Sequence, residues 1–565
     1  MVTKPKKVPR KNSKRSNNRS KSLVLPKKNR NFDEQKRSAP LRDKTNDNVL
    51  RHSASVDELY PIYPRRQKTQ HGFEYERLKC IRERRLYEDP EFSPEVAINH
   101  HPKTEWWRPF TIVKNPRFFT PNVSRHDIQQ MGLGDCFFLA PLSLIADRTE
   151  LIRRVVPAGQ SFAKNFYAGI FHFCLWKYGD WIDIVIDDRL PVNVKTGQLR
   201  FTRARSYNVF WVSLLEKAFA KLYGSYTNIQ GGHAAFAMQN LTGGISVFNL
   251  WQNQSKKHLD KVWQKLVMEF KLGVLFCPKS PSLRYWLLND ISKLMPEDMG
   301  IQSGHAYALT GLKEVQTTNG LVRLVRVRNP WGRLEWNGNW SRHSRLWQTV
   351  LDSEERREMV DLRINGEFWI GFEDFTKYFK NVDRCYLGPE VIAKSNEMGG
   401  KISSCHFDYA SAHGEWSTNK NTNGGGFPKA IRRGTFFINP QYIVTLKVRP
   451  DSVKDQKGRV LVIWQIVQKF AREHNLKQLF SSCVVYKLTN RMAAPQKRFG
   501  NKFFEQNAPM NNVEYSILTS QRKKYAFGTY LFVPFCHKFS YDGYFLLRIY
   551  ANADITIRKL EVNTN

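Results

Sequence analysis

The apolar pattern of this chain changes character once, near residue 386, and that break limits the folds open to it. Beyond it, short β-rich runs follow one another: TFFINPQYIVTLKV, RVLVIWQIVQKF, SCVVYKL, TYLFVPF and YFLLRIYA, each closed by turn residues. Such spacing builds an antiparallel sandwich. Before the break, helical and strand periods are mixed. FFLAPLSLIADRTELIRRVV, after Cys136, repeats at the helical period. FWVSLLEKAFAKLYGSY does so again, with Leu214, Leu215, Ala218 and Leu222 on one face. Between them, YAGIFHFCLWKYGDWIDIVIDDRLPV reads as two strands turning through Lys177–Asp180. HAYALTGLKEV and GLVRLVRVRNPWG read as two more, joined by TTNG. The fold class is α+β, followed by an all-β module, and no internal repeat is visible.

Size and charge add limits. A chain of 565 residues calls for three or four domains, and 41% hydrophobic residues exclude wholesale disorder. Residues 1–71, rich in Lys, Arg, Asn and Ser, read as a disordered basic tail. The formal net charge is +38; residues 1–30 hold twelve Lys or Arg and no acid, and residues 386–565 carry 26 basic against 12 acidic residues. This balance favours anionic partners, whether membrane, acidic protein or nucleic acid. The alternative is a solvated basic surface with no partner at all. Zinc-ligand spacings, a phosphate loop and an RNA-binding aromatic signature are missing, so sequence-specific nucleic-acid recognition has only charge behind it. The eight Cys form no CxxC pair and read as reduced thiols. With no apolar leader and no run of about 18 apolar residues, the expectation is a cytoplasmic protein, with the nucleus or a membrane surface as further addresses.

Three segments carry chemistry. DIQQMGLGDCFFLA places Cys136 after Gly134 and Asp135, at the opening of a helix whose dipole favours the thiolate. GHAYALTG places His305 at the start of a strand, and VRNPWGRLEW places Asn329 at a strand end under the shield of Trp331. In a Cys–His–Asn system the amide oxygen holds the imidazole in its working tautomer. Gln130, six residues before Cys136, is the candidate side-chain amide for an oxyanion site. Each residue alone reads more simply as structural; the three together, in this chain order, do not.

These strings resemble the calpain family. Its nucleophile pattern, Gln-Gly-x-Leu-Gly-Asp-Cys-Trp, is similar to Gln130 through Phe137, and GHAY and RNPWG match without a gap. The likeness runs on through YAGIFHF, VIDDRLP, SLLEKAFAKLYGSY, LTGG, NGEFW, GEW, NPQY and DGYFLLRIY, over roughly residues 72–565. It implies a papain-like two-half-domain cysteine protease core, with the nucleophile half at 72–240 and the His/Asn half at 241–385. A calpain-type β-sandwich (domain III) would occupy 386–565. It also implies an endopeptidase making limited cuts in intracellular proteins. No EF-hand loop pattern is present, so no small subunit docking through such a module is expected.

The sequence departs from the family in two places. Phe137 replaces Trp, and Pro141 stands early in the nucleophile helix, where a kink is expected. The resemblance also implies two Ca²⁺ sites that align the half-domains. At the first, Asp127 matches a ligand but Val209 replaces a Glu; at the second, Glu335 and Glu367 match while Arg342 and Asn365 replace Asp. Such sites bind a hard cation poorly, so calcium dependence is expected to be weak. The competing expectation is a weakly active or inactive scaffold that binds acidic partners or membranes.

Overall fold

A computed structural model describes residues 72–98, 104–120, 123–248, 256–284, 296–360, 366–389, 391, 407–426, 429–452, 454–469, 479–489, 519–539 and 541–560. The tail expected at 1–71 lies outside them.

The nucleophile segment forms helix α1 (Cys136–Ala146), followed after Asp147 and Arg148 by a short helix, Thr149–Val155. One helix was the expectation from the continuous period; the chain breaks it in two. α1 is apolar almost all round and its residues from Phe137 to Ser143 are buried. Pro141 is its sixth residue, past the first turn, and offers no N–H to the Phe137 carbonyl, yet the helix runs on to Ala146. Packing on every side holds a helix that propensity alone would break. Helix α2 (Trp211–Leu222) is likewise buried around its whole circumference, Glu216 and Lys217 included, rather than on one face. Lys217 tolerates this because Nζ reaches Asp187 at 2.6 Å and the Arg189 carbonyl at 2.7 Å.

Strands β1 (Ile170–Lys177) and β2 (Asp180–Asp187) make the expected hairpin. Its two-residue turn has positive φ at both Tyr178 and Gly179, which matches the strand twist. Helix α3 (Ala234–Thr242) closes this layer, and most of these residues share one core.

Past Gly243 and Gly244 the architecture becomes sheet-based. β3 (Ile245–Val247) and β4 (Leu275–Lys279) flank β8 (Asn381–Tyr386), antiparallel on both sides. β5 (Ala308–Thr317), β6 (Gly320–Arg328) and β7 (Glu367–Gly371) form a second antiparallel sheet, with the TTNG turn where the sequence puts it. A separate core joins the two sheets.

The last module is two four-stranded antiparallel sheets. One has the order β9 (Asp408–Trp416), β15 (Gly543–Ala551), β11 (Val460–Gln468), β13 (Thr519–Tyr525). The other runs β12 (Ser481–Lys487), β14 (Gly528–Cys536), β10 (Tyr442–Lys447), β16 (Asp554–Lys559). Their inner faces share a core around Trp416, Trp464 and Phe545.

The sandwich grips the crossing between the two layers that precede it. Arg548 of β15, fully buried, donates to the carbonyls of Gly243 and, at 2.9 Å, Gly244, and its guanidinium lies 4.2 Å from the Trp176 ring centre. Gln465 of β11 accepts from Gln239 at 3.0 Å and donates to the Ser246 carbonyl at 3.2 Å. Glycine is required at this crossing. A Cβ on Gly244 would sit 2.5 Å from the Tyr386 carbonyl oxygen, and Gly243 ends α3 at φ +69.

Candidate active site

Cys136 is the first residue of α1, and the Asp135 carbonyl ahead of it accepts from Phe138 and Leu139 at 2.8 and 3.1 Å. Its thiol faces the backbone N–H of Ala306, the residue after His305, and lies within reach of the Lys279 charge. Cys136 therefore faces the backbone next to His305 across the seam between the α1 layer and the β-sheet half.

His305 is buried and clamped by Ser280: its N–H donates to Oγ at 3.0 Å, and its carbonyl accepts the Ser280 N–H at 3.0 Å. His305 Nε2 lies 2.9 Å from Asn329 Oδ1. The Trp331 N–H donates to the same Oδ1 at 3.0 Å, and Asn329 Nδ2 donates to the Leu334 carbonyl at 3.3 Å. These contacts fix the amide orientation, so Nε2 carries the imidazole proton and Nδ1 keeps a lone pair. The Trp331 ring stands 5.0 Å from the imidazole, centre to centre, beside the His–Asn bond. Gln130 is buried, its Nε2 donates to the Leu133 carbonyl at 2.7 Å, and its backbone N–H reaches the Pro330 carbonyl at 3.0 Å. The same amide also hydrogen-bonds the Asp135 carboxyl.

The electrostatics differ from the sequence expectation. A helix N-terminus alone would lower the thiol pKa, but burial pushes Cys136 up. Burial also pushes His305 down to about 4, against the opposing pull of the Asn329 bond. Both directions favour the neutral forms, thiol and imidazole.

Other residues build the site without any local sequence signal. Arg328, fully buried, donates to Ser143 Oγ of α1 at 2.9 Å and to the Ile128 carbonyl at 2.8 Å, tying the strand end that bears Asn329 to the helix that bears Cys136. Beneath Cys136, Asp135 and Glu216 are both buried on either side of Thr202, whose hydroxyl bonds to Glu216. Burial raises both carboxyls.

The residues matched to calcium ligands are not assembled as a metal site. Asp127 caps a short turn of 3₁₀ helix, its carboxylate accepting the Ser124 N–H at 2.9 Å. Glu335 pairs with Arg342 at 3.3 Å and accepts the Gly366 N–H at 3.2 Å. Glu367 faces the other way, toward Arg125 at 3.0 Å, Arg326 at 3.7 Å and Thr310 Oγ1 at 2.6 Å. Val209 is buried, and Asn365 lies outside the described residues. Among the described residues, no three His, Cys, Asp or Glu come together as they would to hold a metal ion. Asp127, Glu335 and Glu367, read from the sequence as a residual ligand set, are held instead by a cap and by arginines. The guanidiniums occupy the space and supply the charge a cation would bring, so the residues present do not fit Ca²⁺ in this arrangement.

Comparison with known proteins gives the same frame. The family model described as calpain family cysteine protease matches residues 87–386, and that of calpain large subunit domain III matches residues 412–550. Calpain clp-1 of Caenorhabditis elegans is 35% identical over 88% of this chain and 63% of its own length. Calpain-14 of Homo sapiens is 33% identical over 88% of this chain and 71% of its own. Calpain-A of Drosophila melanogaster is 34% identical over 84% of this chain, which covers 56% of that relative. The chain thus spans between half and three-quarters of these relatives' lengths. With a cysteine-protease core model over most of the α+β region and a domain III model over the sandwich, the chain belongs to the calpain family of cysteine proteases.

Proposed function

We propose that this chain is an endopeptidase that makes limited cuts in proteins through a Cys136 acyl-enzyme. The observation that carries the reading is the 2.9 Å His305–Asn329 bond, set beside a thiol that faces the Ala306 N–H. His305 Nδ1 takes the thiol proton as Sγ attacks the scissile carbonyl. The resulting oxyanion is met by the Cys136 backbone N–H and by the Gln130 amide, which has to leave Asp135 to reach it. The imidazolium then passes its proton to the leaving amine, and the C–N bond breaks to leave a thioester. Water, deprotonated by His305, attacks the thioester, and the thiol is regenerated. Asn329 holds the ring against rotation, and Trp331 keeps water from their bond. A neutral resting pair makes proton transfer part of each turnover instead of a standing ion pair.

Activity is proposed to depend weakly on Ca²⁺, although the family is generally calcium-regulated, because arginines already neutralise Glu335 and Glu367. Protein substrates are met in the cytoplasm, with the nucleus or an anionic membrane surface reached through basic residues 1–30. The second reading, a scaffold with little proteolysis, is favoured by Pro141 within α1. Turnover of an unfolded protein substrate across a calcium titration, with Cys136→Ala as control, decides between them. A flat, nonzero response that the substitution lowers by about a thousandfold or more supports the protease. A flat zero supports the scaffold, and a steep micromolar requirement overturns the arginine argument.

A further inference from the structure

Among the described residues, the ammonium group of one lysine in this seam is left without a bonded partner. Lys279 ends β4, and its backbone closes an antiparallel bridge with Ala306, whose N–H faces the Cys136 thiol. The next residue, Ser280, is the clamp on His305. The Lys279 backbone is thereby fixed one step from both reacting side chains.

Its side-chain direction follows from the strand. Residues 277 and 279 point to the same face, and Cys277 packs into the core that contains α1, close enough for the Cys136 charge to act on it. Lys279 therefore leans toward the nucleophile side of the seam, but it is only half-buried and stays open to solvent. Its charge acts on Cys136, on His305 and on Asp383. Among the described residues its ammonium group makes no hydrogen bond or ion pair. Asp383 neutralises it only in part. That carboxylate is buried, accepts the Ala235 N–H at 3.1 Å, and is pushed up to about 7 by burial, so it keeps a proton part of the time.

A peptide laid across Cys136 passes this partly compensated charge. We infer that Lys279 is a specificity-determining residue that selects peptides carrying an acidic side chain beside the scissile bond. The inference rests on the proteolytic reading above and names the substrate class of that site. A partly solvated ion pair of this kind discriminates by about tenfold and weakens with salt.

The test uses the full chain and peptidyl thiol-acylating probes that differ only in Glu against Gln, varied one position at a time around the reactive carbonyl. At one position the Glu probe should label about ten times faster than its Gln twin at low ionic strength. In Lys279→Gln that ratio should fall to about one, and in Lys279→Glu it should invert. The ratio cancels any change in thiol reactivity that removal of the charge causes in both probes. A wild-type ratio of one at every position, or a ratio unmoved by Lys279→Gln, overturns the inference while leaving the protease reading intact. Absence of Cys136-dependent labelling by every probe overturns both.

Discussion

Glu367→Gln tests whether the seam between the half-domains is held by fixed cations. The Glu367 side chain is 2% exposed and gathers Arg125 from the nucleophile layer at 3.0 Å and Arg326 from its own sheet at 3.7 Å. Buried Arg328 also feels its charge. The substitution keeps shape and a hydrogen-bond acceptor for Thr310 but leaves three guanidiniums without their shared carboxylate. Breaking a buried pair from one side costs roughly 3–5 kcal/mol. Arg125 retains Asp147 and is partly solvated, so the lower end, about 3 kcal/mol, is the expectation here. For a core of this size that corresponds to a Tm lower by roughly 6–12 °C. Misalignment of Cys136 against His305 should lower kcat/KM by about tenfold or more. Arg125→Gln should cost a similar amount, and the double substitution less than the sum. Thermal unfolding with a chelator and with millimolar Ca²⁺ reads both alternatives. The reasoning is refuted if Glu367→Gln stays within about 1 kcal/mol of wild type in chelator while wild type alone gains several degrees from Ca²⁺. Metal at a hundred times its Kd would stabilise by about 2.7 kcal/mol, and such a gain would make Glu367 a ligand.

Three further outcomes are expected. His305, with a pKa of about 4 against an ordinary 6.5, contributes stability that is whole above about pH 6.5 and is lost as pH falls toward 4, up to ~3 kcal/mol. Urea unfolding should therefore weaken more for wild type than for His305→Gln between about pH 7 and 4.5, and equal losses would mean a charged resting imidazole. Arg548→Met strands the Gly244 carbonyl, leaves Gly243 only the Tyr550 hydroxyl, and should cost about 2 kcal/mol, splitting one calorimetric transition into separate sandwich and core transitions. A single transition near the wild-type Tm would count against the clamp. Deleting residues 1–30 should abolish salt-sensitive binding to anionic vesicles and leave turnover of a soluble peptide unchanged; equal vesicle binding would remove the tail from that role.

What could be read from the sequence was local. Cys136, His305 and Asn329 each sit in a short string whose turn chemistry is visible residue by residue, and the hairpin at Tyr178–Gly179 and the strands beyond residue 386 follow from a period of two. The misreadings came from burial. Continuous helical periodicity hid the break at Asp147–Arg148, because both helices pack into the same core. The one-faced expectation for α2 failed because buried Lys217 finds a buried Asp187. A dipole argument sufficient for an exposed helix end gave the wrong sign for Cys136, where desolvation dominates.

The arginine partners of the residues matched to calcium ligands were hidden for a different reason, and they bear on how such a chain is controlled. Sequence comparison counts lost carboxylates, and on that count Glu335 and Glu367 look like remnants of a weakened site. Their partners lie 7 residues away in one case and 242 in the other. No local pattern relates Arg125 to Glu367, although the pair is the direct electrostatic tie between the two layers. With Arg342 on Glu335, Arg125 and Arg326 on Glu367, and Asp147 also on Arg125, the carboxylates of the seam already face as many guanidiniums. A further cation gains little there, whereas an aligning Ca²⁺ needs carboxylates that are unpaired until it arrives. Under the weak calcium dependence proposed above, control would act where the layers are joined. In this chain that is the Gly243–Gly244 crossing, where the sandwich already inserts Arg548.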